Sequence, residues 1–192
     1  LGQPVQHAFE ARLFDMCLMA ALTNGPGTIS AQGAKLAASA GNPPNTAMMA
    51  TLGSIGTVHG GNGSKAADML IKVFRDSGLV DPYDRTAAPD LDALVKTFIT
   101  VFKQRKKVAK EAGVAYAKVP CLGHPVFNTE AVNYDPRERV IDEVMRTEKH
   151  YNVFLDFYHR LSRGMMEQGA TSKVHAVNVD AALTCVLMGI AW

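Results

Sequence analysis

The chain is short of everything that would place it in a membrane, a disulfide scaffold or a nucleic-acid complex. No apolar run in its 192 residues reaches the roughly 18 needed to span a bilayer, and no basic segment followed by an apolar stretch and a cleavage site opens it. It reads as soluble and cytoplasmic, without a membrane partner. Cysteines number three, Cys17, Cys121 and Cys185, an odd count spread among apolar neighbours, which suits buried free thiols better than a disulfide framework. Net charge is only +2, too small to imply a nucleic-acid partner, although basic residues cluster in Lys103-Gln-Arg-Lys-Lys-Val-Ala-Lys110. Alternating, β-branched stretches are scarce, which excludes a sheet-dominated fold.

What is present is 47% hydrophobic composition, enough to bury the core of one domain covering residues 1–192. Apolar residues recur at helical spacing nearly throughout, so the expected class is all-α. Phe14, Cys17, Leu18, Ala21 and Leu22 give an i, i+3, i+4 stripe that stops at Asn24-Gly-Pro-Gly27. An Ala-rich helix follows over 30–40, then one over 46–55 with Asn45 as its N-cap, then 64–76. Asp90 opens a long helix to about Ala112 whose apolar face is Leu91, Leu94, Val95, Phe98, Val101 and Phe102. Its last turns carry the basic run, read as a solvated surface at the negative end of the helix dipole, with phosphate binding as the alternative. Asp135 caps a helix over 137–146 with Pro136 in its first turn, and helices over 152–167 and 179–190 complete the chain. The abrupt end after a buried helix suggests a fragment of a longer polypeptide.

Three polar clusters interrupt this pattern: Gly53-Ser-Ile-Gly-Thr-Val-His-Gly-Gly-Asn-Gly-Ser64, Leu122-Gly-His-Pro-Val126 and Asn178-Val-Asp180. Glycines around His59 allow a sharp turn and close approach of a ligand. A phosphate loop lacks both the Gly-x-x-x-x-Gly-Lys-Ser/Thr spacing and a preceding strand. A metal set of His59, His124, His175 and Asp180 is chemically possible, yet no pair has helix-borne ligand spacing, so no metal is expected. Two histidines and a carboxylate can instead perform proton chemistry beside a carbonyl: the acid removes a proton, one His bonds the enolate, and the other polarises the electrophile.

In this order the segments Val58-His-Gly-Gly-Asn-Gly, Leu122-Gly-His-Pro-Val with Tyr134-Asp-Pro-Arg137, and Asn178-Val-Asp180 resemble the catalytic segments of the citrate synthase superfamily. The stretch Met16 to Gly27 is more similar to citryl-CoA lyases and the lyase module of ATP-citrate lyase. The resemblance implies a large helical domain lacking the family's C-terminal segment. It implies Asp180 as base at an acyl-CoA methyl, His59 as hydrogen-bond donor to the thioester enolate, and His124 as the group polarising oxaloacetate. Arg137 and Asn24 would bind the keto acid, Asn24 standing where the family usually has a His. Coenzyme A would rest on Val119, Pro120, Cys121, Leu122 and Gly123, as a thioester substrate and not a permanently bound cofactor. No basic residue is clearly matched to its phosphates, since Phe127 and Asn128 stand where Arg or Lys is usual. The longer stretch 128–133 is expected to reshape the pocket. The implied reaction forms or cleaves a carbon–carbon bond between an acyl-CoA and a 2-oxo acid, with citryl-CoA lyase-like cleavage favoured. The implied assembly is a homodimer or larger homo-oligomer through the Ala-rich helices near Ala31–Leu52. The rival reading is a non-catalytic homologue that binds coenzyme A or oligomerises.

Overall fold

Glycine and proline punctuate the chain where the helices end. The computed structural model describes residues 7–22, 25–56 and 59–192. Among them lie eight α-helices: α1 (Ala8–Leu22), α2 (Ile29–Ser39), α3 (Pro44–Gly53), α4 (Asn62–Phe74), α5 (Leu91–Glu111), α6 (Pro136–Thr147), α7 (Val153–Glu167) and α8 (Val179–Ala191). The described residues contain no extended strand, only isolated bridges such as Leu122 with Val177, so the all-α expectation holds. No described helix is long and apolar enough to cross a membrane.

Start signals act largely as their chemistry dictates. Thr28, Asp90, Asp135, Asn152 and Asn178 each accept a backbone N–H of the first turn that the helix itself cannot satisfy. The expected Asn45 cap is corrected: Pro43 is the cap residue and Asn45 lies inside α3. A proline ring at Pro44 presets the helical φ and removes an N–H that needed a partner, so the helix starts earlier without a side-chain cap.

The aromatic core gathers on α7. Phe154 and Phe157 meet the Phe74 ring of α4 edge-on at 5.1 and 5.4 Å, and Tyr158 is fully buried. Helix α5 lies along α7, while α4 and α1 lie on α8. Asn152, 3% exposed, accepts from Phe154 and Leu155 N–H and donates to the Cys185 carbonyl on α8 at 2.9 Å. Asn152→Ala strands all three partners, so thermal or denaturant unfolding should show a loss of about 2 kcal/mol.

The expected apolar stripe of α1 is only partly inward. Leu13 and Cys17 are buried, whereas Phe14, Leu18 and Leu22 face outward. Helices α2 and α3 bury no residue at all in the single chain, yet pack tightly on one another. A Cβ at Gly33 would lie 2.9 Å from the Ala50 carbonyl and 2.5 Å from Ser54 Oγ, so only glycine permits that approach.

Candidate active site

Two of the three polar clusters sit at helix starts, the His59 loop before α4 and Asn178-Val-Asp180 at α8, while Leu122–Val126 lies in irregular backbone ahead of α6. His59 lies in a tight loop closed by mutual bonds between Gly56 and His59 and by Gly61 N–H to the Gly56 carbonyl. Gly60 has φ +87°, which an L side chain rarely adopts. The His59 Nε2 accepts the Ser30 N–H at 3.4 Å and lies 2.9 Å from Ser30 Oγ, both at the N-terminus of α2. A ring nitrogen that accepts from a backbone N–H carries no proton, so neutral His59 presents its proton on Nδ1. Ser30 therefore sets the tautomer. Ser30→Ala keeps the N–H but removes the hydroxyl 2.9 Å from Nε2, and should lower turnover by about three- to tenfold with substrate affinity nearly unchanged, measured as kcat against KM.

His124 is set in the opposite sense. Its Nδ1 accepts N–H from Val126 at 3.1 Å and Phe127 at 3.3 Å, and its ring stacks on Phe127. Neutral His124 thus offers an Nε2 proton, and the Arg137 Nη2 lies 3.5 Å from that nitrogen. Two donors side by side converge on a position for an oxygen acceptor. Burial, with help from the Arg137 charge, lowers the His124 pKa against the opposing pull of Asp135 and Asp180, which favours the neutral donor.

Asp180 stands in the first turn of α8, after the Asn178 cap. Burial raises its carboxyl above the ordinary value; Asp135 adds to this, while Arg137, His59 and His124 oppose it. All five ionisable groups therefore share one electrostatic neighbourhood. Its placement relative to His59 follows from a close crossing of α4 and α8. Thr184 Oγ1 donates to the Asp180 carbonyl at 2.7 Å and is 3.5 Å from the Gly63 carbonyl, and a Cβ at Gly63 would come within 3.1 Å of that hydroxyl.

Asp135 plays a part that the sequence showed only as an N-cap. It is 0% exposed and accepts Arg137 Nε at 3.0 Å and Nη2 at 2.8 Å, a bidentate pair, besides the Arg137 and Val179 N–H groups. One carboxylate thereby joins the start of α6 to the start of α8, one residue before Asp180. Burial alone would raise its pKa, but the Arg137 hydrogen bonds and charge with the Val179 N–H outweigh it, and the carboxyl sits below the usual value.

The segment 119–123 runs directly into His124 and is held from several sides. Tyr158 Oη donates to the Pro120 carbonyl, Asn178 N–H to Cys121, Asn178 Nδ2 to Gly123, and Gly123 N–H to Ala176. Val119 and Cys121 are buried, while Pro120, Leu122 and Gly123 are half-buried. Cys121 has φ +56° and Gly123 φ +99°, so the loop turns through two left-handed residues. Burial, with a smaller push from Asp180, raises the Cys121 thiol to about 12, leaving it protonated and unreactive at neutral pH.

Beside this loop the structure supplies cations that sequence spacing did not reveal. A Cβ at Gly123 would lie 3.8 Å from the His175 ring, and burial together with the charges of Lys173 and Lys118 lowers the His175 pKa. Lys173 also donates to the Asn128 carbonyl. The extra residues between His124 and Arg137 fold back on the same region, with Asn133 bonding Val174 through backbone and side chain. Asn24 lies outside the described residues.

The model of the citrate synthase C-terminal domain matches residues 3–191, almost the whole chain. The chain belongs to the citrate synthase family. No curated protein matches it. Among solved structures, citryl-CoA lyase from Hydrogenobacter thermophilus superposes with a TM-score of 0.68 at 20% identity, over 97% of this chain and 60% of that one. ATP citrate lyase from Methanothrix soehngenii, in complex with citrate and coenzyme A, gives 0.62 at 18% identity over 94% of this chain and 24% of its own. A mutant ATP citrate lyase from Methanosaeta concilii with (3S)-citryl-CoA gives 0.60, again at 18% identity, 94% and 24%. At these identities the likeness is one of fold, and the chain spans 60% of the citryl-CoA lyase.

Proposed function

We propose that this family member makes or breaks the carbon–carbon bond between an acyl-CoA and a 2-oxo acid, in the manner of a citryl-CoA lyase. The observation that carries the reading is the half-buried, raised carboxyl of Asp180 among His59, His124 and Arg137. A carboxylate with enhanced proton affinity suits removal of a proton from a thioester methyl, and desolvation keeps it from being spent on water contacts. The His59 Nδ1 proton would bond the thioester oxygen as enolate charge develops. His124 Nε2–H would polarise the keto group, with Arg137 binding a neighbouring carboxylate. In cleavage the flow reverses: Asp180 would take the alcohol proton, the central bond would break to the keto acid and the thioester enolate, and Asp180 would deliver that proton to the enolate carbon.

Coenzyme A fits as substrate against Val119 to Gly123, with Lys118 and Lys173 beside the loop as cations for its phosphates. Residues 1–192 are taken as one functional domain. A second copy of the chain is the proposed cover for the outward apolar residues Leu18, Met19, Leu22, Leu36, Met48 and Met49 on α1 to α3. Light scattering should give at least twice the monomer mass.

The activity test is an incubation with acetyl-CoA and oxaloacetate, and separately with citryl-CoA, following free thiol and oxaloacetate. Turnover in either direction supports the reading, with cleavage of citryl-CoA singling out the lyase. Coenzyme A binding without turnover in either direction would instead establish the non-catalytic homologue.

A further inference from the structure

The amphipathic helix α5 uses its apolar face for two purposes. Leu91, Val95 and Ile99 are buried in the core, but Leu94, Phe98, Val101 and Phe102 turn towards Met69 and Val73 of α4 across an open groove. The groove encloses about 700 Å³ and ends at Val119 and Pro120. Around its edge stand Lys65 and Lys72 of α4, Arg105 and Lys106 of α5, and Lys118, against the single carboxylate of Asp68. Among the described residues, Lys65, Lys72 and Arg105 have no ion-pair partner. The basic run on α5 is thus divided: Lys103 bonds the Gln168 carbonyl, Lys107 faces Glu111, and Arg105 and Lys106 border the groove.

Size and chemistry narrow the occupant. A partner helix of ten residues fills about 1,200 Å³, from a diameter of about 10 Å and a rise of 1.5 Å per residue, which exceeds the groove. Small-molecule sites commonly measure about 300–1,000 Å³. Neutral polar side chains in the lining are confined to Thr97 and Tyr116, too few to read a base or a sugar. An apolar floor several side chains long beneath unpaired cations matches a linear apolar body with one anionic end.

We propose that the α4–α5 groove binds a single-chain amphipathic anion of the fatty-acid type, its tail on Leu94, Phe98 and Val101 and its head group at Arg105 and Lys118. The groove lies outside the His59, His124 and Asp180 cluster but borders the proposed coenzyme A loop, sharing Lys118, Val119 and Pro120 with it, and it does not depend on the reaction assigned above. Calorimetric titration of the full chain with laurate, below its micellar range, tests it. Saturable one-to-one binding is expected, about fifteenfold weaker for decanoate because two methylenes leave the floor. Dodecanol, lacking the charge, and inorganic phosphate, lacking the tail, should each bind at least about tenfold more weakly. Dodecyl phosphate distinguishes the sources of the anion: equal binding marks any single-chain anion, weaker binding a carboxylate. Arg105→Glu and Val101→Glu alter exposed residues and should each weaken laurate at least about tenfold, with the circular dichroism spectrum unchanged. Absence of saturable binding, indifference to chain length, or full affinity in both folded variants overturns the proposal.

Discussion

Asp180→Asn is expected to reduce turnover by about 100- to 10,000-fold in either direction, with unfolding midpoint and substrate affinity close to those of the parent. Asn keeps the shape of the side chain and leaves the Asn178 cap and the Thr184 bond to the residue-180 carbonyl untouched. Only the ability to take a proton is removed. The parent protein should also carry a recognisable pH profile. In the proposed mechanism Asp180 acts deprotonated, its pKa raised by burial, and His124 acts neutral, its pKa lowered by burial and Arg137. Activity should therefore fall as the pH drops, on an acid limb lying above the ordinary carboxylate value where Asp180 controls it and below the ordinary imidazole value where His124 does. Near-normal turnover in the variant would place the base elsewhere.

Asp135→Ala should be the most damaging substitution for the fold of the site. It leaves the Arg137 guanidinium, 19% exposed, without its bidentate acceptor and exposes the Val179 N–H at the start of α8. Removing one partner of such a pair costs about 3 kcal/mol, which for a chain of this size lowers the melting temperature on the order of 10 °C. Activity should fall with it, since the same carboxylate aims Arg137 and anchors the helix bearing Asp180. Because the Asp135 carboxyl is held below its ordinary value, its contribution is complete above about pH 4 and is lost as the pH falls through the lower folded value. In Asp135→Ala that part of the acid destabilisation should disappear. An unchanged melting temperature and acid transition would show that the buried pair contributes nothing.

The helices were legible because their boundaries rest on local chemistry. Gly-Pro and Pro-Pro pairs stop or start them, and Asp90, Asp135 and Asn178 cap them through bonds two or three residues away. Short motifs in the family's order singled out His59, His124 and Asp180, and the structure brings the two histidines within electrostatic reach of the Asp180 carboxyl. What could not be read is whatever depends on two segments meeting. Asp135 looks like an N-cap until Val179, 44 positions later, is seen donating to it. Ser30 is an ordinary helix residue until the His59 ring lies against its N–H. Lys118 and Lys173 are 55 residues apart and become a pair only around His175. Periodicity shows that α5 has an apolar face, but cannot show that half of it meets α7 and half borders an open groove. The same holds for α1, whose spacing shows an apolar stripe but not that Cys17 would be buried while Phe14, Leu18 and Leu22 face outward.

The central claim is that Asp180 removes a proton from the methyl group of an acyl-CoA, and hydrogen exchange reads that step without requiring a complete reaction. Acetyl-CoA would be incubated with the protein in deuterium oxide, with malate in place of the reactive keto acid, and methyl deuteration followed by NMR. The parent should exchange the methyl hydrogens, and Asp180→Asn should slow that exchange by at least about 100-fold while still binding acetyl-CoA. Binding of acetyl-CoA without exchange in the parent, or equal exchange in the variant, would contradict the account.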